Sequence, residues 1–245
     1  KYDSRNRCIE KKLPGCEPVY MRYDKADNLI FTQDGVQRAK STAEWTFFIY
    51  DKYKRLVLSG TCTNGTTSVD AVSGVIVGSS FTASDSGIGN TGYSISNLSL
   101  TSPTVLQANY YDNYNFLTLS GFSSRSSNFP SGMVNTTGYQ TGSIVAYLDG
   151  GGFIYSASYY DIKGQTIYTV STNHLGGYDK NTTSYTFTGK PETLVHQHSA
   201  AGKNTITEYY NYNYDTLNRL LSTAHSMKID NGTQSASVQI ACNSY

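Results

Sequence analysis

Residues 45–58 read WTFFIYDKYKRLVL, and this stretch decides the fold. Trp45, Phe47 and Ile49 share one parity while Thr46, Phe48 and Tyr50 share the other, the period of two that belongs to a β-strand. Asp51 follows, and an Asp carboxylate accepts hydrogen bonds from backbone N–H groups two residues on, which starts a turn. Leu56, Val57 and Leu58 then resume an apolar run. The stretch reads as a hairpin.

Its pattern recurs along the 245 residues. A Tyr-Asp pair is followed, three positions after the Asp, by a residue suited to the left-handed conformation and then often by Arg and apolar residues. The copies are Tyr2-Asp3 with Asn6-Arg7, Tyr23-Asp24 with Asp27-Asn28, Tyr50-Asp51 with Lys54-Arg55, and Tyr111-Asp112 with Asn115-Phe116. Tyr160-Asp161 with Gly164 and Tyr214-Asp215 with Asn218-Arg219 complete the set, and Tyr185-Thr186 with Gly189-Lys190 is a degenerate copy. The Tyr-to-Tyr spacings run 21, 27, 61, 49, 25 and 29, so two of the intervals contain insertions. Asn or Gly at the third position tolerates the left-handed backbone that closes a type I turn with a bulge. Lys54 breaks that rule, which predicts strain or a different turn. Because isolated hairpins are marginal, the units are expected to line up edge to edge in a curved, partly open, extended antiparallel sheet, with the Tyr rings laddered across it. The fold class is all-β, one domain over residues 1–245.

Composition narrows the remaining classes. Charged residues are 15%, aromatics 13% and Tyr alone 22 residues, which excludes a disordered chain. A formal net charge of +1 offers no long-range attraction to nucleic acid or anionic lipid, and no apolar run is long enough to cross a bilayer as a helix. Neither nucleic acid nor membrane insertion is expected. No signal peptide opens the chain, which starts at Lys1 inside the pattern and is expected to be a segment of something longer. Residues 61–109 are rich in Gly, Ser and Thr and carry Asp70 and Asp85 but no Lys, Arg or Glu, so they read as an insertion of polar hairpins. Residues 122–152 form a second insertion, and neither insertion reads as helical.

The Tyr-Asp copies, together with the phrases LPGCEPVY at 13–20, WTFFIYD at 45–51, STNHLGG at 171–177 and YTFTGK at 185–190, resemble the YD-repeat (Rhs) family. Its repeats build the hollow β-shell of bacterial Rhs and Tc toxin proteins and recur in animal teneurins. The longer phrases are similar to bacterial members whose repeats are interrupted by polar insertions. The resemblance covers most of the chain and implies a non-catalytic stretch of shell wall. It implies extracellular or cell-surface localisation, flanking repeats as partners, and a cargo domain C-terminal to the shell. No stretch here resembles a shell-closing protease or a toxin domain.

Few residues compete for a chemical role. Asp3, Asp24, Asp51, Asp112, Asp161 and Asp215 are each accounted for by a turn, so neither a catalytic residue nor a cofactor is expected. His196 and His198 share a strand face, but two ligands are too few for a metal unless His174 or His225 joins them. Gly87, Gly89 and Gly92 spell a dinucleotide-type pattern without the βαβ context it needs. Sequons at Asn64, Asn97, Asn135, Asn181 and Asn231 are no more than this composition produces by chance. Cys8, Cys16, Cys62 and Cys242 lack metal spacing and read as free buried thiols, although Cys8 and Cys16 flank the Pro14-Gly15 turn and are placed to face each other across a hairpin. An alternative function is a glycan-binding surface built on exposed tyrosines or Trp45, whose rings offer apolar faces with a polar tip.

Overall fold

Period-two alternation sets the strands, and the computed structural model describes residues 1–131 and 136–245. The first five strands are β1 (Glu10–Lys11), β2 (Val19–Tyr23), β3 (Leu29–Gln33), β4 (Trp45–Tyr50) and β5 (Leu56–Cys62). The short helix α1 (Gly35–Ala39) joins β3 to β4, opened by a capping box in which Asp34 accepts from the Gln37 N–H and Gln37 reaches back to the Asp34 N–H. Within the first insertion lie α2 (Thr66–Asp70), β6 (Gly78–Phe81) and β7 (Tyr93–Ser96). After it come β8 (Thr104–Asp112), α3 (Ser120–Ser123), β9 (Thr136–Ala146), β10 (Phe153–Tyr160), β11 (Thr166–Thr172) and β12 (Tyr178–Tyr185). The last four strands are β13 (Pro191–His198), β14 (Ile206–Tyr214), β15 (Leu220–Ile229) and β16 (Val238–Cys242). Fourteen strands form one antiparallel sheet in the order β1-β2-β3-β4-β5-β8 and then β9 to β16 in sequence, while β6 and β7 form a separate pair. The order has two ends, so the sheet is open rather than a closed barrel, and helix is about 10% of the chain.

Two units divide the chain. The first comprises Lys1–Tyr110, Asn115–Ser120 and Ile144–Phe153. It holds most of the apolar core, since β4 alternates with Trp45, Phe47 and Ile49 inward and Ile30, Phe31, Val57 and Leu58 join them. A row of rings, Phe81, Tyr93, Tyr110 and Phe116, continues this core, with Tyr93 and Tyr110 stacked at 5.6 Å and Tyr110 and Phe116 at 4.7 Å.

The first insertion departs from expectation because it contains helix. Thr66–Asp70 is α-helical and Ala71–Gly74 is a 3-10 turn; together they bury Val69 and Val72. Nine residues are too few for a 3.6-residue period to stand out against a Gly, Ser and Thr background, which is why the helical turns escaped the sequence pattern. The Gly87, Gly89 and Gly92 series belongs to the β6–β7 connection, where all three adopt positive φ of 72°, 62° and 77°. A Cβ at Gly92 would meet the Thr82 carbonyl and the Phe81 ring, so these glycines serve a tight turn.

The second unit comprises Tyr111–Tyr114, Gly121–Ser143 and Ile154–Tyr245. The second insertion begins inside α3, which was not expected to be helical, and supplies β9 to the main sheet. Phe122 packs edge-on to Phe129 and Tyr155, both at 5.1 Å. Beyond Val170 the buried side chains are Thr172, Ser199, Thr207, Thr223 and Ser226, all of them hydroxyl-bearing. From β12 to β15 the sheet is therefore held by its ladder and cross-strand polar pairs rather than by an apolar layer.

This contrast gives a testable consequence. Phe47→Ala empties a fully buried site and should cost about 3–5 kcal/mol in urea unfolding. Phe187→Ala, at a residue 93% exposed in the second unit, should lie within about 0.5 kcal/mol of the parent.

Candidate functional site

Every Tyr-Asp copy but one closes the same turn. At Asp215 the backbone N–H donates to the Arg219 carbonyl (3.0 Å) while the Asn218 N–H donates to the Asp215 carbonyl (3.0 Å). The Asp215 carboxylate accepts from the Leu217 N–H (2.9 Å) and the Arg219 N–H (2.8 Å), and its second oxygen accepts from Arg219 Nε (2.7 Å). Asp3, Asp24, Asp51 and Asp161 repeat the two backbone bonds and the two amides accepted by one carboxylate oxygen. Thr186 keeps the backbone bonds and uses its hydroxyl for the Lys190 N–H.

The third position is left-handed throughout: Asn6, Asp27, Lys54, Gly164, Gly189 and Asn218 have φ between 59° and 83°. Lys54 adopts φ 62° and keeps the turn, so that copy carries strain rather than a different geometry. Asn173 makes an identical turn with Gly176 at φ 73°, accepting from the Leu175 and Gly177 N–H groups. No Tyr precedes it, which is why it was missed; Asn followed three residues later by Gly was the available signal.

Tyr111-Asp112 is the exception and corrects the expectation of a hairpin there. No strand follows it: the chain enters a 3-10 turn at Asn115–Thr118 and then α3. Asp112 instead accepts from the Gly138 N–H (2.7 Å) and, through its carbonyl, from the Thr136 hydroxyl (2.8 Å). Burial of Phe116 and Leu119 outweighs the turn signal, because each buried side chain contributes about 1.5–3 kcal/mol.

The tyrosines carry a second regularity. Each pairs across its own hairpin with the fifth residue after the turn's first, as in Tyr23 with Leu29, Tyr50 with Leu56, Tyr160 with Thr166, Tyr185 with Pro191 and Tyr214 with Leu220. A β-bulge adjoins each of these pairs. In the first unit the Tyr23 hydroxyl donates to the carbonyl of Cys8, the residue paired with Tyr2 (3.1 Å). In the second unit Tyr185 donates to Thr166 (2.8 Å), Tyr214 to Pro191 (2.8 Å) and Tyr245 to Leu220 (3.1 Å). A carbonyl beside one bulge thus receives the hydroxyl of the next hairpin's tyrosine. Tyr160 differs and donates to Gln140 (2.6 Å), and the Tyr50 hydroxyl makes no bond of this kind to Leu29.

Neighbouring turns also touch. Arg5 and Arg7 reach the Lys25 and Asp24 carbonyls and the Asp27 carboxylate, Lys54 reaches the Ala26 carbonyl, and Thr188 bonds Asn218. The Arg7 and Arg219 guanidinium groups, each paired with its own turn Asp, sit over the rings of Tyr23 (5.0 Å) and Tyr245 (4.5 Å). Asp24 is fully buried, and its carboxylate also accepts from the Val77 N–H (3.3 Å), tying the first insertion to a turn.

Titration follows from these bonds. Hydrogen bonds from the Arg7 and Arg219 backbone amides hold Asp3 and Asp215 below the usual carboxylate range, and the paired guanidinium groups add to this. Burial raises Tyr23 and Tyr160, and pushes Tyr114 up to about 12.

The other candidates have structural surroundings. His196 and His198 share a face of β13, where His196 meets Glu208 (3.1 Å) and His198 meets Asp179 (2.6 Å). His225 lies 3.4 Å from the other Glu208 oxygen, whereas His174 sits in the Asn173 turn. Among the described residues no group of three or more His, Cys, Asp or Glu side chains has a metal-holding arrangement. All four cysteines are free; Cys62 is buried, Cys8 partly so, and Cys16 and Cys242 are exposed, which corrects their expected burial. Trp45 is buried against Phe31 and is not available as a surface ring. Asn64 is buried and bonded to Ser68 and the Ser99 carbonyl, Asn97 donates to Ile76 and Asn181 to Thr169, while Asn231 is exposed and Asn135 lies outside the described residues.

No family model matches the chain, and no curated protein matches it. A solved structure titled TcdB2-TccC3-TEV is similar over 90% of this chain and 12% of its own, at 11% identity and a TM-score of 0.19. The chain therefore spans a small part of that neighbour's length.

Two measurements check the turn chemistry. Lys54→Asn relieves a left-handed Lys and should raise stability by about 1 kcal/mol in denaturant unfolding. Because the folded-state values of Asp3 and Asp215 are depressed, their contribution is present above the unfolded carboxylate pKa and is lost as pH falls through the folded values. Urea midpoints recorded from pH 6 down to about pH 2.5 should therefore drop less steeply in Asp215→Asn than in the parent.

Proposed function

We propose that this chain is a non-catalytic wall segment of a larger secreted or cell-surface YD-repeat protein of the Rhs kind. The observation that carries the reading is the repeated link from a tyrosine hydroxyl to the carbonyl beside the preceding hairpin's bulge. That link does no chemistry. Its effect is to lock the register of each hairpin against its neighbour, which is what a sheet needs to serve as a barrier. In Asp3, Asp51 and Asp215 one carboxylate oxygen is taken by two backbone amides of its own turn and the other by an Arg side chain, which supports a structural role for them. The hydroxyl-bearing residues buried beyond Val170 suit a sheet that faces solvent on both sides.

The glycan-binding alternative receives less support. Trp45 is in the core, and the hydroxyl tips of Tyr23, Tyr160, Tyr185 and Tyr214 are committed to backbone carbonyls. The deciding experiment is electron microscopy of the longest native polypeptide that contains this chain, labelled by a small tag inserted at the exposed Phe187 turn. The expected image is a hollow shell with the tag on its wall. A tag on a solid globular domain detached from any shell, or specific glycan-array binding lost on replacing Tyr53 and Tyr139, would overturn the proposal.

A further inference from the structure

We infer that a tyrosine-walled cleft beside the Asp161 turn binds a small organic cation carrying an alkylated ammonium group. This goes beyond the wall reading, since it concerns a ligand site on one hairpin of the second unit.

Tyr114, Tyr159, Tyr160, Tyr168 and Asp161 line a cleft of about 520 Å³, a volume suited to a small ligand, and all five belong to the second unit. Tyr114 stacks on Tyr159 at 4.9 Å with 8° between the planes, and Tyr168 leans against Tyr159 at 5.4 Å and 48°. The four hydroxyls are turned to the backbone. Tyr114 donates to the Ser158 carbonyl (2.9 Å), Tyr159 to Pro130 (2.6 Å), Tyr160 to Gln140 (2.6 Å) and Tyr168 to Asn128 (3.3 Å). With those protons committed, what the rings offer a ligand is π surface. Burial raises all four above the ordinary phenol range, so the rings stay neutral at physiological pH.

Asp161 supplies the charge. At Asp3, Asp51 and Asp215 the second carboxylate oxygen accepts from the Nε of an Arg four residues on, and at Asp24 it accepts from the Asn28 side chain. Gln165 stands at that place after Asp161, and the Lys163 and Gln165 amides both bond the first oxygen. Among the described residues nothing donates to the second. Lys163, two residues on, lies over the Phe187 ring (5.1 Å). This turn therefore keeps the geometry of its relatives but leaves a half-buried anionic oxygen at a π-walled cleft. A primary ammonium carries three donors, and each needs an acceptor once water is removed. An alkylated ammonium needs fewer, because ring faces and a single carboxylate satisfy its charge. A sugar would require hydroxyl donors that these tyrosines have already given to carbonyls.

The test titrates the full chain with choline and, in parallel, with its neutral carbon isostere 3,3-dimethylbutan-1-ol, following the ligand methyl protons by NMR. The choline methyl resonance should move upfield, as ring faces require, and choline should bind about fivefold or more tightly than the isostere. Asp161→Asn keeps the turn, since Asn173 accepts the equivalent two amides in its own turn, and should weaken choline binding about tenfold. Gln165→Arg places on the open oxygen the guanidinium that the other copies carry, and should weaken binding similarly. Should Asp161→Asn fail to fold, Gln165→Arg decides. No binding of choline, equal affinity for the two ligands, or a folded variant that binds choline as tightly as the parent would overturn the inference. Phosphatidylcholine vesicles added as competitor identify the source of the cation: displacement of choline assigns a lipid headgroup and its absence a free solute, and the site stands in both cases.

Discussion

A carboxylate that accepts two backbone amides of its own turn is the constraint on which the rest depends. In Asp3, Asp24, Asp51, Asp161 and Asp215 one oxygen holds the N–H groups two and four residues on. This satisfies donors that a tight turn would otherwise leave without partners, and it forces the third following residue into the left-handed region. The turn's length then sets which residues face each other across the hairpin. Since a slip of one residue moves every side chain to the opposite face, a turn of fixed geometry determines the strand pairing that follows.

Register within a hairpin leaves register between hairpins unspecified, and the tyrosine supplies it. In Tyr23, Tyr185, Tyr214 and Tyr245 the hydroxyl reaches the carbonyl of the residue five positions after the first residue of the preceding turn. The bond contributes only about 1 kcal/mol, yet it is directional, so it discriminates between registers that hydrophobic contact alone would tolerate. In the first unit the same task is shared with ion pairs from Arg5 and Arg7 to Asp27 and with an apolar core. In the second unit, where burial beyond Val170 is of hydroxyl-bearing side chains, directional bonds carry more of the specificity.

The histidines show how residue type misleads when geometry is unknown. His196 and His198 share a face, as their spacing requires, but each meets a carboxylate on an adjacent strand, and this cross-strand pairing accounts for both. Trp45 likewise has the composition of a recognition residue and the position of a core residue, since β4 turns its odd-numbered side chains inward.

Local pattern was enough to read the hairpins from the residues, because alternation, an Asp that starts the turn and an Asn or Gly that closes it all act within about ten positions. The all-β class and the open antiparallel sheet were legible for that reason. Three outcomes were decided only in three dimensions. Tyr111-Asp112 lost its hairpin because burying Phe116 and Leu119 is worth more than one turn's hydrogen bonds. The helical turns of residues 66–74 exist because Val69 and Val72 find an apolar surface that no short window of sequence displays. The acceptor of each tyrosine hydroxyl, more than fifteen positions away for Tyr185, Tyr214 and Tyr245, depends on which strand becomes the neighbour, and that is settled by sheet order rather than by spacing.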